Sequence, residues 1–310
     1  MSKLYLSICI PTNGRIEILK NTLDSIYNDC KVSFVKFEVI LSDNSTNDEL
    51  LDLLDSYKNI PNIVYQKTNC NGFLNSINAL KMGKGLLLKL HNNYTMFSKN
   101  GLYDLISLIE QEQNNKPLFF FKNSGKQKTK DYDSFDSFNY DLSFWNSWSS
   151  GFSIWKEDFN KISNLEVNKM FPHTSLFLLQ HSKKKFVINN LPYFINQDVL
   201  SKGGYDLFKT FGVDYLKMIE QTMNNGHISK KTFDKIKKDL FFDFLSVWYR
   251  NTKISKNDYT FELENIKQSI SVYYFKTGYY KLIFFSHIVD FKFKIKAVIN
   301  LLKIKSIDNI

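Results

Sequence analysis

The sequence predicts an α/β protein, a mostly parallel sheet flanked by helices with a helical region at its C-terminal side. Three observations carry that expectation. Strand-length apolar runs alternate with stretches of helical apolar spacing through roughly the first hundred residues, the signature of repeated βα units. Each run ends in a polar loop. Beyond about residue 204 the strand signals fade and helical periodicity with lysine-rich faces takes over.

Residues 4–10 form the first apolar run, closed by Pro11-Thr12-Asn13-Gly14, and apolar positions recur at helical spacing over 16–26. The pattern repeats as a strand over 37–41, a Ser-Asp-Asn-Ser-Thr-Asn loop and a helix over 48–54, with Ser45 or Thr46 as the expected cap. A third strand is expected at 62–66, a helix at 72–82, and a fourth strand at 85–90 entering His91-Asn92-Asn93. A helix near 101–111 and a strand at 117–121 follow. Residues 122–141 lack periodicity and read as a long loop or lid; 145–154 read as a strand crossing a cleft, and 156–162 as a short helix. Helices are expected over 207–223, 229–249, 261–275 and 279–305. The domain expectation is a catalytic domain over 1–203, its acceptor side at about 117–203, and a basic helical region over 204–310.

At 310 residues and 43% hydrophobic the chain can bury a real core. Forty-one Lys+Arg against 31 Asp+Glu give a formal charge of +10, which suits a polyanionic partner without choosing one. Cys9, Cys30 and Cys70 follow no metal-ligand spacing, and their odd number argues against a disulfide framework. Residues 1–10 do not read as a signal peptide, and the most apolar late stretch, 281–291, falls short of the ~20 residues a membrane span requires. The expected setting is cytoplasmic, at the inner face of the membrane. Nucleic acid is not an expected partner, because no zinc spacing or RNA-binding signature accompanies the charge. No Gly-x-Gly-x-x-Gly follows the first strand, which argues against a dinucleotide oxidoreductase.

In a parallel sheet ligands bind beyond the carboxyl ends of the strands, so the loops at 11–15, 42–45 and 90–93 should converge on one crevice. A nucleotide diphosphate needs a carboxylate for a base N–H, donors near phosphate and cations for its charge. Asp43 suits the first role, and Arg15, Lys84 or Lys89 the last. Equally, Asp43 suits a helix cap and Arg15 a solvated surface position.

The segments LSICIPTNGRIEILKNTLDSI, FEVILSDNSTND and TNCNGFLNSINALKMGKG resemble, in order and spacing, the opening of an inverting family 2 glycosyltransferase of the GT-A fold. The resemblance covers about the first hundred residues and continues more loosely to about 195, with the abequosyltransferase-like branch the most similar. It implies transfer of a hexosyl group from a nucleotide-diphosphate sugar to a bacterial surface polysaccharide such as O-antigen, capsule or lipopolysaccharide, or to a lipid-linked glycan. It places Pro11, Thr12, Asn13 and Arg15 beside the nucleotide and makes Asp43 the partner of the base, flanked by Asn44 and Ser45. Asn69, Gly72 and Asn75, with Asn78, border the diphosphate and donor sugar. The alternative is a non-catalytic homologue that serves as a nucleotide- or glycan-binding scaffold.

The departure from the family falls where an Asp-x-Asp metal motif is expected: His91-Asn92-Asn93 stands there. Hard cations such as Mn²⁺ and Mg²⁺ favour carboxylate oxygens, so Asn93 is at most a weak metal ligand. Three readings compete: metal-assisted transfer using His91 or Asn93 with the diphosphate, metal-independent transfer relying on Arg15, Lys84 and Lys89, and loss of catalysis; the cluster of cations favours metal independence. Inversion also requires a base for the acceptor hydroxyl. After SSGFSIWKEDFNKI the family's acidic position is met by NKMFPHTSLFLL, which puts His173 in that role behind Pro172. His173 also fits a capping or core histidine. Asp158 is the alternative base, although Glu157 and Asp158 also suit the first turn of a helix.

Trp148 and Trp155 are candidate acceptor platforms, since aromatic faces stack on sugar C–H surfaces; Trp145 and Phe152 stand beside them. The lysine-spaced aromatic tail over 277–305 fits a peripheral helix on an anionic membrane, and equally a helix packed on the catalytic domain or a homo-oligomer contact.

Overall fold

The computed structural model describes residues 3–28, 30–125, 128–162, 166–199 and 201–307, with side chains through residue 300. The chain divides into two compact units, Met1–Asp198 and Val199–Ile310.

In the first unit, β1 (Leu6–Thr12) leads through α1 (Ile16–Tyr27) to β2 (Phe37–Asp43), α2 (Glu49–Asp55) and β3 (Ile63–Lys67). A 3₁₀ turn over Gly72–Leu74 then enters α3 (Asn75–Met82) and β4 (Leu87–Leu90). These strands form a sheet in the order β3-β2-β1-β4, all parallel. β1 and β2 are buried almost throughout, because a central parallel strand is covered on both faces and must be apolar along its length. Ile8, Ile10, Val39, Leu41, Leu19 and Leu23 lie in one core cluster. Glu38 is tolerated inside because it accepts the Ser7 hydroxyl at 2.6 Å and the Lys84 N–H at 2.5 Å. Ser45 and Thr46 do not cap α2; Asp48 holds the cap position without a side-chain bond.

The chain continues through β5 (Thr95–Phe97), α4 (Gly101–Glu112), β6 (Leu118–Phe121), β7 (Lys130–Tyr132) and α5 (Phe135–Leu142). The expected lid over 122–141 therefore contains a strand and a helix. Phe135, Phe138 and Leu142 recur on one buried stripe of α5, and Ser134 caps it by accepting the Ser137 N–H at 3.2 Å. The expected strand over 145–154 is mostly 3₁₀ turn, Ser143–Ser147 and Ser149–Gly151, and only β8 (Ser153–Trp155) is extended. Its polar side chains explain this. Ser147 donates to the Phe144 carbonyl at 2.7 Å and Asn146 to Asn139 at 3.1 Å, offering local alternatives to a ladder.

β8 adds to the main sheet beside β4 but runs antiparallel, pairing Ser153 with Lys89 and Trp155 with Leu87. The segment before β8 is thus at the end of the sheet where the β1, β2 and β4 loops emerge. The helix after it, α6 (Lys156–Lys161), starts at the opposite end. α7 (Pro172–Leu178), β9 (Phe186–Asn189) and β10 (Phe194–Asn196) complete the unit, with β9 between β6 and β7 and β10 paired to β5.

The second unit contains two strands that sequence patterning missed: β11 (Gly203–Asp206) and β12 (Thr260–Glu262) pair in parallel. α8 (Leu207–Lys209) runs through a π segment into α9 (Leu216–Asn224). α10 (Lys230–Asp239) and α11 (Ser246–Tyr249) are likewise joined by π-helical turns. The last two expected helices meet in α12 (Ile266–Ile307), which is two helices broken at Phe275, where φ 61° and ψ 173° are non-helical.

Candidate active site

Thr12, the last residue of β1, ties the three loops together. Its carbonyl accepts the Asn44 N–H at 2.9 Å and the Asn75 amide at 3.4 Å, while its hydroxyl accepts the Asn93 amide at 3.1 Å and donates to Gly14 at 3.1 Å. The ends of β1, β2 and β4 and the start of α3 therefore meet, as parallel topology requires. Asn75, 2% exposed, donates to the Ser42 carbonyl at 2.7 Å and accepts the Ser42 hydroxyl at 2.6 Å. It shapes the loop from inside. Asn78 reaches the Ser42 hydroxyl at 2.8 Å, and Asn44 donates to the Cys70 carbonyl at 3.0 Å.

Asp43 is fully buried. One carboxylate oxygen accepts the Ser45 N–H at 2.9 Å; the other lies 3.4 Å from the Tyr65 hydroxyl and 3.3 Å from the Lys67 ammonium. Lys67 is itself shared with Asp48 at 3.3 Å. Neither Tyr65 nor Lys67 was expected in the site. The signal was the parallel register, which sets Lys67 directly opposite Asp43.

At the crest of the first loop Asn13 and Arg15 are exposed, Gly14 has φ 99°, and Arg15 takes the left-handed conformation at φ 61°. A positive φ suits glycine and is uncommon for arginine, so the turn is held against a local cost. Asn69 and Gly72 are exposed at the turn into α3.

The β4 turn is almost wholly engaged. His91 is 1% exposed, donates from Nε2 to the Thr95 carbonyl at 2.5 Å and stacks on Phe97 with ring centroids 5.0 Å apart. Burial, aided by Lys89, holds its pKa down to about 3. Its Nδ1 is enclosed without a hydrogen-bond partner. Asn92 donates to the Tyr94 hydroxyl at 2.7 Å, accepts the Ser149 hydroxyl at 2.8 Å, and its N–H reaches Ser150 at 2.9 Å. The Asn93 carbonyl is held by Thr22 of α1 at 2.8 Å. Ser149, Ser150 and Thr22 are further partners that sequence reading missed, being serines and threonines without a distinctive pattern.

These neutral, bonded groups do not fit a divalent cation, which favours free carboxylate oxygens. Among the described residues no group of three His, Cys, Asp or Glu gathers to hold a metal.

Two expected diphosphate cations lie elsewhere. Lys89 is 0% exposed, and its ammonium donates to the carbonyls of Leu90 and Ser150 between the Phe121 and Phe194 rings, 5.4 and 4.8 Å from their centroids. Desolvation lowers its pKa to about 7, and it presents no cation to a ligand. Lys84 precedes β4, at the far end of the sheet. Arg15 alone of the three stands exposed at the loops.

His173 opens α7 behind Pro172. It is 6% exposed and donates from Nε2 to the Ser147 carbonyl at 2.9 Å, leaving Nδ1 as the basic nitrogen. Thr174 donates to the Asn146 carbonyl at 3.0 Å, and α7 packs on α3. The helix start is thereby fixed to the 143–151 segment, which in turn holds Asn92. Burial lowers the His173 pKa to about 4, partly offset by the Ser147 bond. Asp158 sits in α6 at the other end of β8, ion-paired with Lys183, and Glu157 pairs with Lys116 and Lys161. Neither acid is brought to the loops.

Trp155 is 1% exposed in the core cluster and donates its indole N–H to the Pro117 carbonyl at 2.7 Å, so it offers no face to an acceptor. Phe152 is equally buried. Trp148 is half-buried on the loop side, its ring 6.2 Å from that of Trp145, which is 37% exposed.

The profile described as Glycosyl transferase family 2 matches residues 7–165, just over half of the chain. No curated relative matches. Among solved structures, Staphylococcus aureus TarS residues 1–349 in complex with UDP-GlcNAc superposes with a TM-score of 0.63 at 13% identity, covering 89% of this chain and 81% of that one. A second structure of the same TarS fragment, residues 1–349, gives 0.58 at 15%, covering 86% and 77%. The mannosyltransferase PcManGT from Pyrobaculum calidifontis, in complex with GDP-Man and Mn²⁺, gives 0.51 at 11%, covering 92% and 86%. The likeness establishes a GT-A-like α/β fold.

Proposed function

The chain belongs to glycosyl transferase family 2, and from that premise we propose that it transfers one sugar, with inversion, from a nucleotide-diphosphate donor to a surface polysaccharide or lipid-linked glycan on the cytoplasmic side of the membrane. The observation that carries this is the Thr12 junction, which gathers the ends of three parallel strands around a buried carboxylate, Asp43. Complexes of TarS with UDP-GlcNAc and of PcManGT with GDP-Man are consistent with a donor of that class.

In this reading Asp43 and its Lys67 partner face the base, and Arg15 meets the diphosphate charge. Asn69 and Gly72 border the donor at the α3 turn. The acceptor lies along the Trp145 and Trp148 side. An acceptor hydroxyl attacks the anomeric carbon as the bond to the diphosphate oxygen breaks. The nucleoside diphosphate leaves with that electron pair, and the hydroxyl proton passes to Nδ1 of His173. With its pKa held near 4 the ring is unprotonated at neutral pH, so Nδ1 is free of a proton, and its lowered basicity limits the driving force for taking one. The His91-Asn92-Asn93 turn contributes no negative charge, so a divalent cation reaching the crevice would be held by the donor diphosphate and not by this turn.

The test is a product assay with nucleotide-diphosphate sugars and a lipid-linked glycan fraction. Release of nucleoside diphosphate with a transferred sugar of inverted anomeric configuration supports the reading, and retained configuration contradicts it. Donor binding without release would assign the scaffold role instead.

A further inference from the structure

Along the distal part of α12 the chain leaves a row of large apolar side chains without cover. Phe284 is 63% exposed, Phe291 64%, Ile295 43% and Val298 55%. Steps of seven, four and three residues put all four on one helical stripe. Every residue from 291 to 300 is exposed, and Phe293, on the face away from the stripe, meets the Arg250 guanidinium 4.6 Å from its ring centroid, which leaves the four stripe residues facing solvent. Lys281, Lys292 and Lys296 are exposed along one flank of the stripe, and Lys294, its side chain 72% exposed, lies on the other. Solvated apolar surface of this extent marks an interaction site.

We propose that this stripe docks on the surface of an anionic lipid bilayer, with its aromatic and aliphatic side chains at the acyl boundary and the flanking lysines among the headgroup phosphates. Charge decides the occupant. Against a second copy, the flanking lysines would confront their own equivalents on a chain of formal charge +10, whereas anionic headgroups neutralise them. No described helix is long and apolar enough to cross a membrane, so the helix lies on the surface. This assignment does not depend on the transferase reading; it would bring an enzyme of that reading to lipid-linked acceptors.

The experiment is co-sedimentation of the full chain with vesicles of phosphatidylcholine alone and of phosphatidylcholine with phosphatidylglycerol, at low and high salt. Wild-type protein should sediment with the anionic vesicles and be released by salt. The pair Lys292→Gln with Lys296→Gln should weaken that binding roughly thirtyfold. Phe291→Asp with Ile295→Asp should abolish it without changing the far-ultraviolet dichroism, since both residues are solvated. Equal binding to neutral vesicles, or none to either, would overturn the proposal. So would a concentration-dependent dimer in light scattering that the aspartate pair dissolves, because the stripe would then belong to a second copy. Donor-sugar binding, measured on the same variants, should be unchanged, which separates failure here from failure of the transferase reading.

Discussion

The side-chain amide of Asn93 donates to the hydroxyl of Thr12 across 3.1 Å, joining the β4 turn to the end of β1 where a carboxylate would instead have presented an acceptor. Asn93→Asp reverses that polarity and draws the Thr12 hydroxyl away from Gly14. The variant should lose about 1 kcal/mol of stability and gain a hard-cation ligand. Thermal shifts with donor, with and without Mn²⁺, should show a larger cation-dependent increment in the variant than in the wild type, whose cation is held by the diphosphate alone. An equal Mn²⁺ response in both would remove the distinction drawn from this turn.

His173→Gln keeps a polar side chain at the start of α7 but no basic nitrogen. Turnover should fall by about 10²–10⁴ with donor affinity unchanged. The base works unprotonated and its pKa is lowered to about 4, so wild-type kcat/KM should stay flat from neutral pH down to about 5 and decline only below that. A decline centred near 6.5, or an unimpaired variant, would assign the base elsewhere.

Stability should fall on acidification. His91 and His173 are held near 3 and 4 in the fold, against about 6.5 in an unfolded chain, so the unfolded state binds protons first as pH drops. Their contribution is complete above about 6.5 and is lost progressively toward about 4 for His173 and about 3 for His91, with a slope of up to about 1.4 kcal/mol per pH unit for each. Denaturant midpoints at pH 7, 6 and 5 measure it, and His91→Gln should remove about one proton's worth of the slope. A stability independent of pH across that range would contradict the buried neutral rings.

The βα order was legible because each strand of the central sheet is an apolar run closed by a polar loop. The convergence of Thr12, Asp43 and Asn93 follows from that order alone. What escaped depended on direction and register. Nothing in SSGFSIWKED says that β8 runs antiparallel, yet that one reversal moves Asp158 and Trp155 to the far end and leaves Trp148 near the loops. Lys89 alternates as a strand residue should, but its burial between two phenylalanine rings comes from β6 and β10, distant in sequence. The helix over 135–142 was hidden by its Asp, Ser and Asn content, although its Phe135–Phe138–Leu142 stripe is helical.

The two tryptophans should therefore separate cleanly. Trp155→Ala removes a core ring and should cost about 3–5 kcal/mol, seen as a lowered denaturant midpoint. Trp148→Ala should leave the midpoint within about 1 kcal/mol and raise the acceptor KM. The reverse pattern would refute the placement of the acceptor.

The most direct measurement is calorimetric titration of UDP-, GDP-, dTDP- and CDP-sugars into the wild type and into Asp43→Asn, with folding checked by circular dichroism. One nucleotide class should bind the wild type, and the variant, which stays folded, should lose about 1.5–3 kcal/mol of that binding, the worth of a hydrogen bond to a charged group. Binding of no class, or equal binding by Asp43→Asn, would contradict the nucleotide reading of Asp43.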